Sequence, residues 1–286
     1  MSTAPDLTAT IARLFVYPVK SCAGVELREA LLTETGLDLD RAWMVVDEDG
    51  EFVSQRELPR MALIRPTIRL SDVVLRAPGM LALHLQIDTV EEPVKVRVWD
   101  DEVPAYDMGA VAAQWFTDFL GRKLRLVRFD PDHRRLSSLQ WTGGVEAPNQ
   151  FADGYPLLLA STASLDLLNA KLAAAGHAAV GIERFRPNIV LAGLEAHDED
   201  RLELVRIATD EGEVQLRPVK PCSRCTIPNV DPATAHTDPA VADALQAYRR
   251  DPVLDGAVSF AMNAIIVEGV DRTLRIGQPV AAAIRF

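Results

Sequence analysis

Apolar positions in the first 130 residues recur mostly at every second place. Arg13–Pro18 is a short apolar and aromatic run ending at a proline, and it predicts a strand that delivers the polar loop Lys20–Gly24. Trp43–Val53 alternates about Asp49-Gly50, residue types that supply a hairpin turn. Further β-like runs follow at Ile64–Arg69, Val73–Arg76, Leu81–Ile87 and Val94–Trp99, with a turn marked by Pro78-Gly79. The spacing becomes helical in Ala110–Leu120, where Val111, Trp115, Phe116 and Phe119 recur on one face. Asp107 is placed to cap this helix and Gly121 to end it, and the aromatic stripe reads as core. Lys123–Phe129 returns to strand.

Asp130–Gln150 is polar and turn-rich, and it predicts a mobile loop between domains or over a site. Beyond it lie the apolar strand Pro156–Ala160 and the helix Ser164–Ala174, with Ser161 or Thr162 as its cap. A hydroxyl-rich strand-to-helix turn also suits a phosphate, and both readings stand. Arg184–Val190 leads into a strand that would turn Arg186 and Asn188 to one face. Leu202–Ile207 and Glu213–Leu216 flank the turn Asp210–Gly212 as a hairpin. A helix runs from Asp238-Pro239 to Arg250, and the strands Phe260–Val267 and Leu274–Phe286 close the second half. The fold class is mixed α/β and mainly β, with two β-rich domains and few helices.

Charge and composition narrow the function. Thirty Lys and Arg against 41 Asp and Glu leave a net charge of −11, which disfavours nucleic acid and anionic membranes as partners, so any anion site must be local. Apolar stretches are too short and too interrupted to span a bilayer, and the first ten residues lack a signal pattern. Three cysteines do not make a secreted disulfide framework, and a cytoplasmic location is expected.

Two of those cysteines lie in Lys220–Ala235, KPCSRCTIPNVDPATA. Prolines on either side of the pair, Pro221 and Pro228, predict loop rather than helix or central strand. Lys220 and Arg224 are cationic neighbours of the kind that raise the thiolate fraction. Zinc is poorly served, because Cys22 is remote and His236 stands alone. Redox, metal and structural roles for Cys222 and Cys225 stay open on these residues alone.

KPCSRC followed by a DP dipeptide resembles the cysteine loop of the MOSC domain, the molybdenum-cofactor sulfurase C-terminal module. RFRPNIV at Arg184–Val190 and LFVYPVKSCAGV at Leu14–Val25 resemble two further blocks of the same proteins. The likeness is nearest to the MOSC subgroup with an extra N-terminal β domain, which includes the amidoxime-reducing proteins. It implies an N-terminal MOSC-type β domain over residues 10–130 and a barrel-like MOSC domain over 150–286. It also implies a molybdenum cofactor, a molybdopterin carrying one metal, that removes oxygen from N-hydroxylated or N-oxide substrates and is reset by two electrons.

By position in the family blocks, Cys225 would be the metal ligand, with Ser223 and Arg224 toward the pterin. Lys20, Ser21 and Arg41 would meet the pterin and phosphate, Arg186 and Asn188 the pterin, and Ser161 and Thr162 would lie near the cofactor. Asp231 would orient the cysteine loop through backbone hydrogen bonds. One departure is Ala235, where relatives usually carry Gly, so a turn with positive φ there would be strained. No GxGxxG fingerprint or cluster module is present. The electrons would therefore come from a separate ferredoxin, flavoprotein or cytochrome. Two other readings remain: a non-catalytic cofactor carrier, and a sulfur-transfer protein using Cys222 and Cys225.

Overall fold

A computed structural model describes residues 5–89 and 92–285. The expected strand end at Phe286 lies outside them. Seven strands close into a barrel: β1 (Leu7–Val16), β2 (Leu157–Ser161), β3 (Ile189–Ala192), β4 (Leu202–Thr209), β5 (Gly212–Ser223), β6 (Ala257–Glu268) and β7 (Pro279–Ile284). Around the barrel the order is β1-β7-β4-β5-β6-β2-β3 and back to β1. Only β2 and β3 run parallel; the other barrel neighbours are antiparallel. Alternate residues fill the interior, among them Leu14, Val16, Leu157, Leu159, Val205, Ile207, Val214 and Leu216. The strand β1 precedes the whole N-terminal half, yet it hydrogen-bonds into the barrel of the second half.

The intervening residues form their own β layer. Trp43–Val46, Arg125–Phe129, Asp101–Asp107 and Pro93–Val98 make a four-stranded sheet, and Arg65–Ile68, Asp72–Arg76 and Leu83–Gln86 a three-stranded one. The helix Gly109–Leu120 packs Trp115, Phe116 and Phe119 into a core with Trp43, Val45, Val73, Leu75 and Leu126. The aromatic stripe is therefore core. Asp101–Asp107 was not foreseen as a strand, and Asp107 is its last residue rather than the helix cap. Its carboxylate still accepts a 2.7 Å hydrogen bond from the backbone of Gly109.

Three other expectations change. Asp130–Gln150 is pinned, not free: Arg135–Leu136 pairs with Pro148–Asn149, and a short helix covers Leu139–Thr142. Arg135 is buried and donates to Asp101, Asn149 and the carbonyls of Gln150 and Ala152. Lys220–Ser223 is strand, the end of β5, despite its prolines. Register shifts between Pro218 and Lys220 and between Pro221 and Ser223 absorb the missing donors as bulges. The last strand is interrupted, with Thr273–Arg275 pairing elsewhere before β7 begins.

Candidate functional site

The first family-like block leaves the barrel at Val16 and crosses to the N-terminal layer. Arg41 donates its backbone N–H to Tyr17, Trp43 to Pro18, and Lys20 to Trp43, so Tyr17–Lys20 lies against Arg41–Trp43. Lys20, Ser21 and Arg41 are thereby brought together. The second block ends a 3-10 turn, Ile182–Phe185, at Arg186 and enters β3 at Ile189. The third is the end of β5 with the turn after it. All three blocks line one cleft between barrel and N-terminal layer, with Lys20, Ser21, Arg41, Arg186, Asn188, Ser223, Arg224 and Cys225 in its wall.

Backbone conformation is unusual here. Ser21, Arg41 and Arg186 all have positive φ, at 66°, 52° and 60°. Non-glycine residues in this region are held there by their surroundings, and such positions cluster at functional sites. For Arg186 this also revises the expected geometry, since it closes a turn instead of alternating with Asn188 along a strand. The Asn188 side chain is committed elsewhere: Oδ1 accepts from Leu158 N at 3.1 Å and Nδ2 donates to Phe15 O at 3.2 Å. It ties three segments together at the floor of the cleft.

The cleft is strongly cationic. Lys20, Arg41, Arg56, Arg186 and Arg224 line it, against the single carboxylate Asp153. In a chain of net charge −11 this excess of positive charge is local, as any anion site in it must be. Lys20 is 7% exposed at its side chain and donates to Asp153 Oδ1 at 2.5 Å and to Phe151 O at 2.8 Å. Burial lowers the Lys20 pKa, and Asp153 works against that shift. Desolvation alone would raise the Asp153 carboxyl; Lys20 and a hydrogen bond from Trp99 outweigh it and hold the group below its usual range. Asp153 nonetheless remains 69% exposed at the side chain, at the rim.

Arg41 and Arg186 both lie over the Tyr17 ring, 4.4 and 4.2 Å from its centroid. Asp40 takes both Arg41 hydrogen bonds from Nη1, and Arg41 Nη2 donates to Arg186 O. Arg186 donates to Cys22 O at 2.6 Å, while its buried Nη2 has no partner among the described residues. Burial, then the charge of Arg41, lowers the Arg186 pKa to about 10. A buried donor left unpaired beside a second cation is a place prepared for an anion or a polar ring edge.

The two cysteines differ. Cys222 is half-buried, and its Sγ accepts from Arg224 Nη1 at 3.0 Å; Arg224 Nη2 reaches Phe185 O at 3.1 Å. Cys225 is free and exposed in the cleft wall. Cys22 is wholly buried, and burial pushes its thiol up to about 12, so it packs as a small apolar side chain. Asp231 does orient the following turn, accepting from the backbone of Ala233 and Thr234 and from Arg184. Ala235 sits at φ 61°, so the strain anticipated at this departure from Gly is present.

Ser161 and Thr162 are the site residues that the fold takes elsewhere. Ser161 is fully buried, caps the helix Thr162–Ala174 through Ser164 N, and donates to Glu199 at 2.9 Å. Neither residue lines the cleft. Tyr17, Asp153 and Arg56 were missed as site residues. Arg56 and Asp153 lie in polar stretches of the sequence that carry no pattern marking them.

Residues 8–123 match the MOSC N-terminal beta barrel domain, and residues 146–281 match the MOSC domain. The chain belongs to the MOSC family. Among MOSC relatives it is 35% identical to the mitochondrial amidoxime-reducing component 1 of Mus musculus, covering 95% of this chain and 81% of that protein. It is 35% identical to the corresponding component 1 of Homo sapiens and 34% identical to human component 2, again over 95% of this chain and 82% of each. The MOSC assignment spans both β layers, so the cleft lies where the two matched regions meet.

Proposed function

We propose that the cleft binds a molybdenum cofactor and that the protein is a reductase of N-hydroxylated or N-oxide compounds. The observation carrying this reading is the free, exposed Cys225 in a cleft with Lys20, Arg41, Arg186 and Arg224, in a chain related to amidoxime-reducing components. A soft thiolate and a cationic cradle suit a soft metal centre on an anionic pterin phosphate, and the unpartnered Arg186 Nη2 offers a donor toward it. When bound, such a cofactor supplies oxygen-atom acceptance coupled to two-electron exchange.

The chain's own residues do the rest. Cys225 is the metal ligand; Cys222, engaged by Arg224, holds the turn from behind. Lys20, Ser21 and Arg41 hold the phosphate end, with Asp153 keeping the Lys20 ammonium in place. Arg186 and Ser223 face the pterin, and Asn188 fixes the wall through its backbone bonds. Electrons come from a separate ferredoxin, flavoprotein or cytochrome, in the cytoplasm.

Protein produced in cells that make the cofactor should contain stoichiometric molybdenum and pterin and reduce benzamidoxime with a reduced dye. Cys225→Ser should lose the metal and the activity, whereas Cys222→Ser should keep the metal. Wild-type protein without molybdenum, under verified cofactor supply, would sink the reading and favour sulfur transfer. Full metal without turnover would favour a carrier.

A further inference from the structure

The cleft continues past Cys225 into a wider one of about 550 Å³, lined by Arg56, Trp99, Asp153, Tyr155, Lys220, Cys222, Ser223 and Cys225 among others. Arg56 lines both. Its guanidinium carbon lies 4.7 Å from the Trp99 ring centroid and 5.8 Å from that of Phe52, the two rings being 4.9 Å apart. Each ring is itself fixed. Phe52 N donates to Arg97 O, and Trp99 Nε1 donates to Asp153. The turn carrying Arg56 is closed by Ser54, whose Oγ accepts from Arg56 N and whose carbonyl accepts from Glu57 N.

No hydrogen bond or ion pair to the Arg56 guanidinium occurs among the described residues; it is held by aromatic faces alone. The other charged groups of the wide cleft are mostly accounted for. Arg135 is paired with Asp101, Arg224 is spent on Cys222 and Phe185, and Asp153 is neutralised by Lys20. Lys220 rests over the Trp141 ring at 5.0 Å, and Asp100 is solvent-exposed on its turn. Two cations without counter-ions thus face the space beside Cys225. Stacking leaves the edge of a guanidinium free, and that edge is a rigid fork matched to a carboxylate.

We propose that Arg56 is a specificity-determining residue that takes a carboxylate on the N-hydroxylated substrate, with Lys220 adding to the field. The proposal rests on the reductase reading above, and it adds a substrate class: N-hydroxylated compounds bearing a carboxylate at the end remote from the reacting nitrogen. Loss of oxygen from an amidoxime, with two electrons from the donor and two protons, leaves the amidine and water. Amidines are therefore unreactive probes of the same site.

The test uses molybdenum-loaded protein and isothermal titration with benzamidine and with 4-carboxybenzamidine. Wild type should bind the carboxylate form about ten-fold more tightly, the worth of one charge-assisted hydrogen-bonded contact. Arg56→Gln should erase that preference while keeping molybdenum content, benzamidine affinity and benzamidoxime turnover. Arg56→Lys should restore part of it. An unchanged preference in Arg56→Gln, or equal binding of the two probes by wild type, overturns the proposal and leaves the reductase reading standing. Loss of molybdenum in Arg56→Gln also overturns it, by making Arg56 a cofactor residue. Wild type lacking molybdenum overturns both.

Discussion

Ala235 occupies a conformation in which its Cβ crowds the backbone, at φ 61°. The turn is imposed on it by two hydrogen bonds, Ala235 N to Asp231 O at 2.8 Å and Asp231 N to His236 O at 2.7 Å. A left-handed conformation costs an L-residue on the order of 1 kcal/mol, a cost glycine does not bear. Ala235→Gly should accordingly raise stability by about 1 kcal/mol less the extra unfolded-state entropy of glycine, read as a higher urea midpoint. A lower midpoint would show that the turn is not strained. Ser21, Arg41 and Arg186 share the conformation, but each offers its side chain to the cleft, so glycine there would relieve strain at the expense of binding.

Elements, in turn, decide which polar groups are reachable. The helix Thr162–Ala174 begins on Ser161, whose hydroxyl is held by Glu199, and Glu199 is fully buried with Oε1 unpartnered among the described residues. Burial raises the Glu199 carboxyl, against hydrogen bonds led by Ser164. A carboxyl whose folded pKa is raised contributes stability fully below its unfolded value and loses it as pH rises through the folded one. Stability of wild type relative to Glu199→Gln should therefore fall as pH rises above the ordinary glutamate range, measured by urea unfolding in acid and at neutral pH. A difference that does not change with pH would refute the assignment.

The same elements show why parts of the chain were readable and others were not. Alternation gave most strands, because one face of each is buried, and the helix Ala110–Leu120 declared itself by its aromatic spacing. Prolines misled at Pro221, since a bulge can excuse a missing donor only in three dimensions. Arg135 made an apparently loose segment rigid through carbonyls that no sequence pattern marks. Ser161 looked equally suited to a phosphate or a cap, and only the buried Glu199 shows which role it has.

At the scale of the whole molecule, three blocks far apart in sequence converge because the barrel and the N-terminal layer share one boundary. Their basic and thiol residues were legible as chemistry; Tyr17, Asp153 and Arg56 were not, for a tyrosine in an apolar run and charges in polar loops look ordinary until packed. The barrel itself depends on β1, which closes it between β3 and β7. A chain beginning at Lys20 should lack a cooperative thermal transition by circular dichroism, although every residue of the matched MOSC domain remains. A native-like melt would show that β1 is dispensable.

That closure has a consequence for synthesis. On a ribosome β1 emerges first and can zip onto β3 once residue 192 is free; Val25–Leu27 covers Leu14–Val16 on its other edge, but Leu7–Thr10 of that edge stays bare until β7 appears. Throughout most of translation the nascent protein thus carries an open seam with unpaired backbone groups, where chaperones would hold it and where neighbouring nascent chains could pair. A premature stop just before Pro279 would remove only a few residues and still leave that seam open.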